Sequence, residues 1–311
     1  MVYVGVDLGG TGIKAGVVDG QGRMLSRVEC PTLVERGHEP VVHDMAMLAL
    51  RAVEESGRRL ADVHSVGVGI PGIMDPATGI VPFCTNLAWH QVPLVKLMQR
   101  VIDKPIFVEN DATVAGLAES VAGVSAGCQN SVFLTLGTGV GGGIVLNGKV
   151  YSGPHGVASE LGHMIVMIDG EECTCGNKGC WERYASATAL IRMGREAAKA
   201  HPKSALNASI DNMTAKAVVD AAKAGDAAAT EVFDRYTYFI ALGLVNIVNF
   251  LDPEIIALGG GVSAAGEFLL KPVREKLKAM VFYKDMPYAR VELAKLGNDA
   301  GIIGAAMLGR I

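Results

Sequence analysis

The sequence predicts an α/β fold of two domains around a central cleft, and three observations carry that prediction. Short β-rich runs alternate with stretches of helical apolar spacing, the pattern of strands covered by helices. A strand, a glycine turn and a second strand follow one another at Val2–Val18, and the same order returns at Ser131–Leu146. That repetition reads as a duplicated fold with phosphates held between its halves. The 311 residues are enough for two cores of ordinary size.

Composition narrows the class. Hydrophobic residues make up 50% and charged residues 19%, which is a folded protein and not a disordered one. A formal net charge of −4 gives no electrostatic reason to expect nucleic-acid binding. No basic segment followed by an apolar run and a cleavage site stands at the N-terminus, and no apolar run reaches membrane length. Of the six cysteines, Cys30, Cys84 and Cys128 are scattered singly and read as small buried hydrophobes. This usage suits a reducing cytosol, so a cytoplasmic location is expected, with no membrane partner.

Along the chain, Val2–Val6 is a strand ending at Asp7, and Gly9, Gly10 and Thr11 form the turn before a second strand to Val18. Glycines leave backbone N–H groups open to a phosphate, Thr11 adds a hydroxyl and Lys14 a charge. Asp7 could hold magnesium through water. A plain hairpin turn is the alternative. His43–Leu60 has helical spacing, and Val63–Ile70 is a buried strand that ends at the rigid turn Gly69–Gly72. Asn86 lies in a polar loop, as a hydroxyl contact or a turn residue. Asn110 and Asp111 fall at the junction of strand Ile106–Glu109 and helix Ala112–Ala122. Capping the helix and serving as hydroxyl ligand and general base are compatible roles there.

The second turn runs from Gly137 through Thr138 and Gly139 to Gly143, ahead of a strand at Ile144–Leu146. Helices are expected at Ala185–Ala200, Thr214–Gly225, Ala227–Phe250 and Lys271–Met280, the last with Pro272 in its first turn. A strand at Glu254–Leu258 opens onto Gly259–Gly261, where a flat ring or a phosphate can lie against backbone. Arg290–Ala294 is a strand and Asn298–Leu308 a small-residue helix that returns to the N-terminal half. Between Gly162 and Glu182 stand His163, Cys173, Cys175 and Cys180 in a glycine-rich polar stretch. Three thiolates and an imidazole fill the four positions of a tetrahedral zinc and leave none for a reactive water, so the metal reads as structural. Cys-x-Cys is a strained spacing for a disulfide, and three clustered cysteines leave one over. Such a knot could fix Glu160 and Glu182, which flank it.

Together these motifs resemble the ROK group of sugar kinases and regulators, within the actin-like, ribonuclease-H-like ATPase fold. DLGGTGIK, GIPG, ENDA, GTGVGGG, ELGH with the Cys-rich segment, and GGG all occur in the group's order across essentially the whole chain. CWERYASATAL and NLAWHQVPL make the chain most similar to its bacterial glucokinases. The resemblance implies ATP-dependent phosphorylation of a hexose at its 6-hydroxyl, most readily glucose, as a step of glycolysis. The alternatives it leaves are N-acetylmannosamine, fructose, allose or N-acetylglucosamine as acceptor. It implies Asp111 as base and as one of the groups that bind the sugar. Gly72, Asn86, Asn110, Glu160, His163 and Glu182 would hold sugar hydroxyls, and His163 would also ligate zinc with Cys173, Cys175 and Cys180. Asp7, Gly9, Gly10, Thr11, Lys14, Thr138 and Gly139 match the phosphate turns, Gly260 and Gly261 the adenosine side, with Mg²⁺ accompanying ATP. Domains are expected at 1–118 plus 297–311 and at 119–296, with self-association to a homodimer or homotetramer. A sugar-responsive regulator would need a DNA-binding domain ahead of the first hairpin; with the first strand starting at Val2, none is expected, and the kinase reading is preferred.

Overall fold

The computed structural model describes residues 1–75 and 77–310. The described chain forms two compact units: one of residues 1–75, 77–133, 143–159 and 295–310, the other of residues 134–142 and 160–294.

In chain order, the first unit begins with strands β1 (Val2–Leu8), β2 (Gly12–Asp19) and β3 (Met24–Pro31), helix α1 (His38–Glu55) and strand β4 (Val63–Ile70). Three short strands follow, β5 (Ile73–Asp75), β6 (Ile80–Cys84) and β7 (Trp89–Val92), then α2 (Leu94–Gln99), β8 (Ile106–Asn110) and α3 (Asp111–Ala122). Strands β9 (Ser131–Leu136) and β10 (Val140–Leu146) cross the unit boundaries, and β11 (Lys149–Val150) returns to the first unit. The second unit carries α4 (Glu182–Ala185), α5 (Ala187–Ala200), α6 (Ala215–Lys223), α7 (Ala227–Leu251), β12 (Ile255–Gly259), α8 (Glu267–Met280) and β13 (Arg290–Leu293), and α9 (Ala300–Met307) closes the chain in the first.

Sheet order is β3-β2-β1-β4-β8 in the first unit, with β1–β2 and β2–β3 antiparallel and β1–β4 and β4–β8 parallel. Alternation along β1 decides which helix covers which face. Val4, Val6 and Leu8 join the core with α1, and Tyr3 joins that with α3 and α9. Beside Tyr3, Gly5 lets α9 come down on the sheet, since a Cβ there would sit 1.9 Å from the Ile302 carbonyl oxygen. Gly67 on β4 does the same under Ala305, at 1.7 Å. The small-residue face of α9 is therefore a packing device. Gly67→Ala is expected to cost about 3 kcal/mol or more, read as a lowered midpoint in urea denaturation. The second five-stranded sheet runs β11-β10-β9-β12-β13, and β5-β6-β7 form a small antiparallel sheet.

Several expected elements shift. The helix expected from His43 begins at His38 and ends at Glu55. Strand β10 starts at Val140, so Gly141–Gly143 are strand and not turn. Gly143 is needed there for another reason: a Cβ would lie 2.7 Å from the Ala112 carbonyl oxygen, so it admits α3. The helix expected from Ala185 breaks at Ser186, whose hydroxyl accepts the Ala189 N–H and starts α5 afresh. Helix α8 begins at Glu267, which places Pro272 inside it and not in its first turn. Among the described residues no helix is long and apolar enough to cross a membrane.

Candidate active site and metal centre

In the first unit β8 runs straight into α3. Asn110 is the N-cap: its Oδ1 accepts the N–H groups of Ala112 at 2.9 Å and Thr113 at 3.3 Å. Asp111 is the first residue of the helix, and its Oδ1 also accepts the Ala112 N–H, at 2.8 Å. An anion is favoured at this end of a helix. The Asn110 amide donates to the Gly72 carbonyl at 3.4 Å, so the Gly69–Gly72 turn meets the junction. Gly72 itself is held against β6, where a Cβ would lie 2.8 Å from the Phe83 carbonyl oxygen. Asn86 stands on a short 3₁₀ turn, with its backbone near Gly10.

The first glycine turn closes through the Gly9 N–H to Gly12 O at 2.9 Å, and Gly10 and Thr11 are exposed at its tip. Thr32 braces the turn by donating its hydroxyl to Gly9 O at 2.6 Å. Asp7 lies against the first turn of α9, its Cγ where a Cβ on Gly301 would come within 2.5 Å. Burial pushes the Asp7 carboxyl above the usual carboxylate range, and Lys14 at 3.8 Å offsets this in part.

In the second unit, the second glycine turn closes through the Gly137 N–H to Gly139 O at 3.1 Å. Thr188 donates its hydroxyl to Thr138 O at 2.8 Å, tying the turn to α5. Gly139 makes room for Glu182, whose Oε2 would be 2.5 Å from a Cβ on that residue. The other Glu182 oxygen lies 3.2 Å from the Cys173 sulfur. One carboxylate thus connects the turn to the cysteine cluster.

His163, Cys173, Cys175 and Cys180 converge, with one donor atom from each all within 4.8 Å of one another. Cys173 Sγ lies 3.6 Å from His163 Nδ1, and Cys175 Sγ 3.6 Å from Cys180 Sγ. Donors bound at about 2.1–2.3 Å to a tetrahedral centre stand about 3.6–3.8 Å apart. The donor set therefore fits a metal ion in size and chemistry. The sulfurs of the cluster are too far apart for a disulfide, and Cys173, Cys175 and Cys180 are thiols. His163 Nε2 turns the other way, 3.9 Å from Glu160 Oε2. Crowding shows in the thiols. Loss of water, then the neighbouring Cys175 and Cys173, pushes Cys180 up to about 12, while the Asn177 N–H lowers Cys175 to about 7. A dication would relieve that conflict by holding all three as thiolates. The knot is anchored by Trp181, fully buried, whose indole N–H donates to Phe239 O on α7 at 2.7 Å. Gly243 opens the space for that ring: a Cβ there would overlap it at 2.0 Å.

After β12, Gly260 adopts φ +82°, and a Cβ there would lie 2.6 Å from the backbone of Leu136, so the place suits glycine alone. Beside it, a cavity of about 280 Å³ is lined by Gly261 and Val262 and by Lys216, Val219, Asp220 and Lys223 of α6.

The ROK family model matches residues 3–310. The chain belongs to the ROK family. It is 38% identical over 310 residues to the glucokinase of Halalkalibacterium halodurans, covering 98% of this chain and 94% of that one. It is 39% identical over 309 residues to the glucokinase of Thermotoga maritima, covering 98% and 96%. The crystal structure of a ROK family glucokinase from Streptomyces griseus, in complex with glucose and AMPPNP, matches with a TM-score of 0.83 and 37% identity, over 100% of this chain and 99% of that one. This ROK chain accordingly has the two-domain actin-like ATPase fold.

Sequence reasoning missed residues whose meaning is purely spatial. Glu109 accepts the Asn110 N–H at 2.8 Å and the Ser152 hydroxyl, and Thr113 pairs with Ser159. Glu119, fully buried, accepts the N–H groups of Val124, Lys295 and Leu296 at 2.7–2.8 Å and ties the chain's return to α3. Nothing in the spacing of these residues marks them.

Proposed function

We propose that this ROK protein is an ATP-dependent hexose kinase that phosphorylates glucose at its 6-hydroxyl. The observation that carries the reading is the capped Asn110–Asp111 junction, standing in a chain similar over nearly its full length to glucokinases. A primary hydroxyl is a weak nucleophile, so a placed carboxylate must take its proton as the bond to phosphorus forms. Asp111 is that base. Its rotation is limited by the Ala112 N–H it accepts, so its position is set before substrate arrives. Asn110, Asn86, Glu160, His163 and Glu182 bind sugar hydroxyls in this reading, with the turn at Gly72 behind Asn110.

The N–H groups of the turns at Gly9–Thr11 and Thr138–Gly139 neutralise charge on the transferring phosphoryl group. Magnesium accompanying ATP would supply further positive charge there, and Asp7, with Lys14 beside it, would hold it. In this reading the adenosine end lies at Gly260–Gly261, and the cavity between Gly261 and α6 supports it. Zinc is the ion suited to the three cysteines and His163, and its part is to fix the loop that bears Glu160 and Glu182. With the ion bound, Cys173 would be a thiolate and would no longer donate to Glu182, whose carboxylate would then be open to a sugar hydroxyl.

The test is a coupled ADP-release assay with ATP and a panel of glucose, fructose, allose, mannose, N-acetylmannosamine and N-acetylglucosamine. The highest kcat/KM is expected with glucose. A metal-replete protein that releases ADP with none of them overturns the reading. A binding assay on genomic fragments in parallel tests the regulator alternative.

A further inference from the structure

Residues 152–159 form a small loop whose neck is closed by the Ala158 N–H to Ser152 O at 2.9 Å. Both ends are pinned to the junction that carries Asn110 and Asp111. At one end the Ser152 hydroxyl donates to Glu109 Oε2, while Glu109 Oε1 accepts the Asn110 N–H at 2.8 Å. At the other, Ser159 Oγ lies 3.2 Å from Thr113 Oγ1, and Thr113 is buried in the first turn of α3 with its own N–H directed at the Asn110 cap. The loop thus grips the junction one residue before Asn110 and two residues after Asp111.

Ser159 also has φ +73°. Gly153 and Gly156 of the same loop take positive φ without a Cβ, but Ser159 does so with one. A non-glycine residue keeps that conformation only where its surroundings hold it. The hydroxyl contact with Thr113 is the holding interaction on this side chain. The next residue is Glu160, so the backbone angles of Ser159 set the direction in which Glu160 leaves the loop.

We propose that Ser159, acting through Thr113, is a positioning residue for sugar binding by Glu160. The inference rests on the hexose-kinase reading. It assigns the pair a share of sugar affinity and none of nucleotide affinity.

The experiment measures kcat, the KM for glucose, the KM for ATP and the melting temperature for Ser159→Ala, Thr113→Val, their combination, Ser159→Gly and Thr113→Ser. Loss of one hydroxyl is expected to raise the glucose KM about fivefold in each of the first two variants, with kcat and the ATP KM within about twofold. The combination should be no worse than the weaker single variant, because both remove one contact. Ser159→Gly relieves the backbone but lacks the hydroxyl, so it should melt no lower than Ser159→Ala while keeping the raised KM. Thr113→Ser retains a hydroxyl and should restore the wild-type KM. A glucose KM within twofold of wild type in both Ser159→Ala and Thr113→Val overturns the inference, whatever the melting temperature does. So do fully additive effects. Wild-type protein that turns over no hexose overturns the kinase reading instead. If another hexose is the substrate, the same ratios are read with that sugar.

Discussion

Asp111→Asn is expected to bind glucose within a few-fold of the wild-type affinity and to turn it over about a thousandfold more slowly. The amide has the shape of the carboxylate, and its oxygen can still accept the Ala112 N–H. The cap on α3 comes from Asn110, so the helix start does not depend on the residue changed. What the substitution removes is the capacity to take a proton. Calorimetric titration with glucose separates the two quantities, alongside kcat from ADP release. A variant that keeps a kcat near wild type removes Asp111 as base. A variant that loses glucose affinity by orders of magnitude makes Asp111 a ligand first and a base second.

Cys180→Ala is expected to abolish stoichiometric metal binding and to unravel the segment between Glu160 and Glu182. Metal in such a set contributes about 10 kcal/mol or more to the fold of the segment that holds it, far beyond what the segment's few backbone bonds replace. Cys180 is fully buried and is followed at once by Trp181, so the loss reaches the contact with α7. Metal content by mass spectrometry should fall from about one ion per chain to nearly none. Glucose kcat/KM should drop at least tenfold, because Glu160, His163 and Glu182 lose their common support. Exposure of the wild type to a strong chelator should reproduce the loss, and added zinc should reverse it. A metal-free protein with unchanged melting and unchanged kcat/KM would leave the knot without a function.

The chemistry was more legible in the sequence than the packing. Asn110 and Asp111 could be located because the end of a strand and the start of a helix show in the pattern, and the structure puts the cap of α3 there. The cysteine cluster could be read because ligand chemistry tolerates few alternatives at that spacing. The glycines could not be sorted. Gly143, Gly67 and Gly304 look the same in sequence as Gly10 or Gly139, yet they admit helix backbones: a Cβ on Gly304 would lie 1.7 Å from the Val114 carbonyl oxygen. The strands β5 to β7 are too short for a period to emerge. Pro272 gave a false start to α8 because its preference for first turns is strong but a helix can run through it. Thr113 and Ser159 stand far apart in sequence and carry no signature at all.

The two tryptophans are divided between the two units: Trp89 is buried in the first and Trp181 in the second, beside the cysteine knot. Each unit therefore contains its own fluorophore. Trp89→Phe leaves emission from the knot alone, and Trp181→Phe leaves emission from the N-terminal core alone. Two denaturation curves recorded this way would tell whether the molecule melts as a single cooperative body or loses the half that carries the cysteine cluster first.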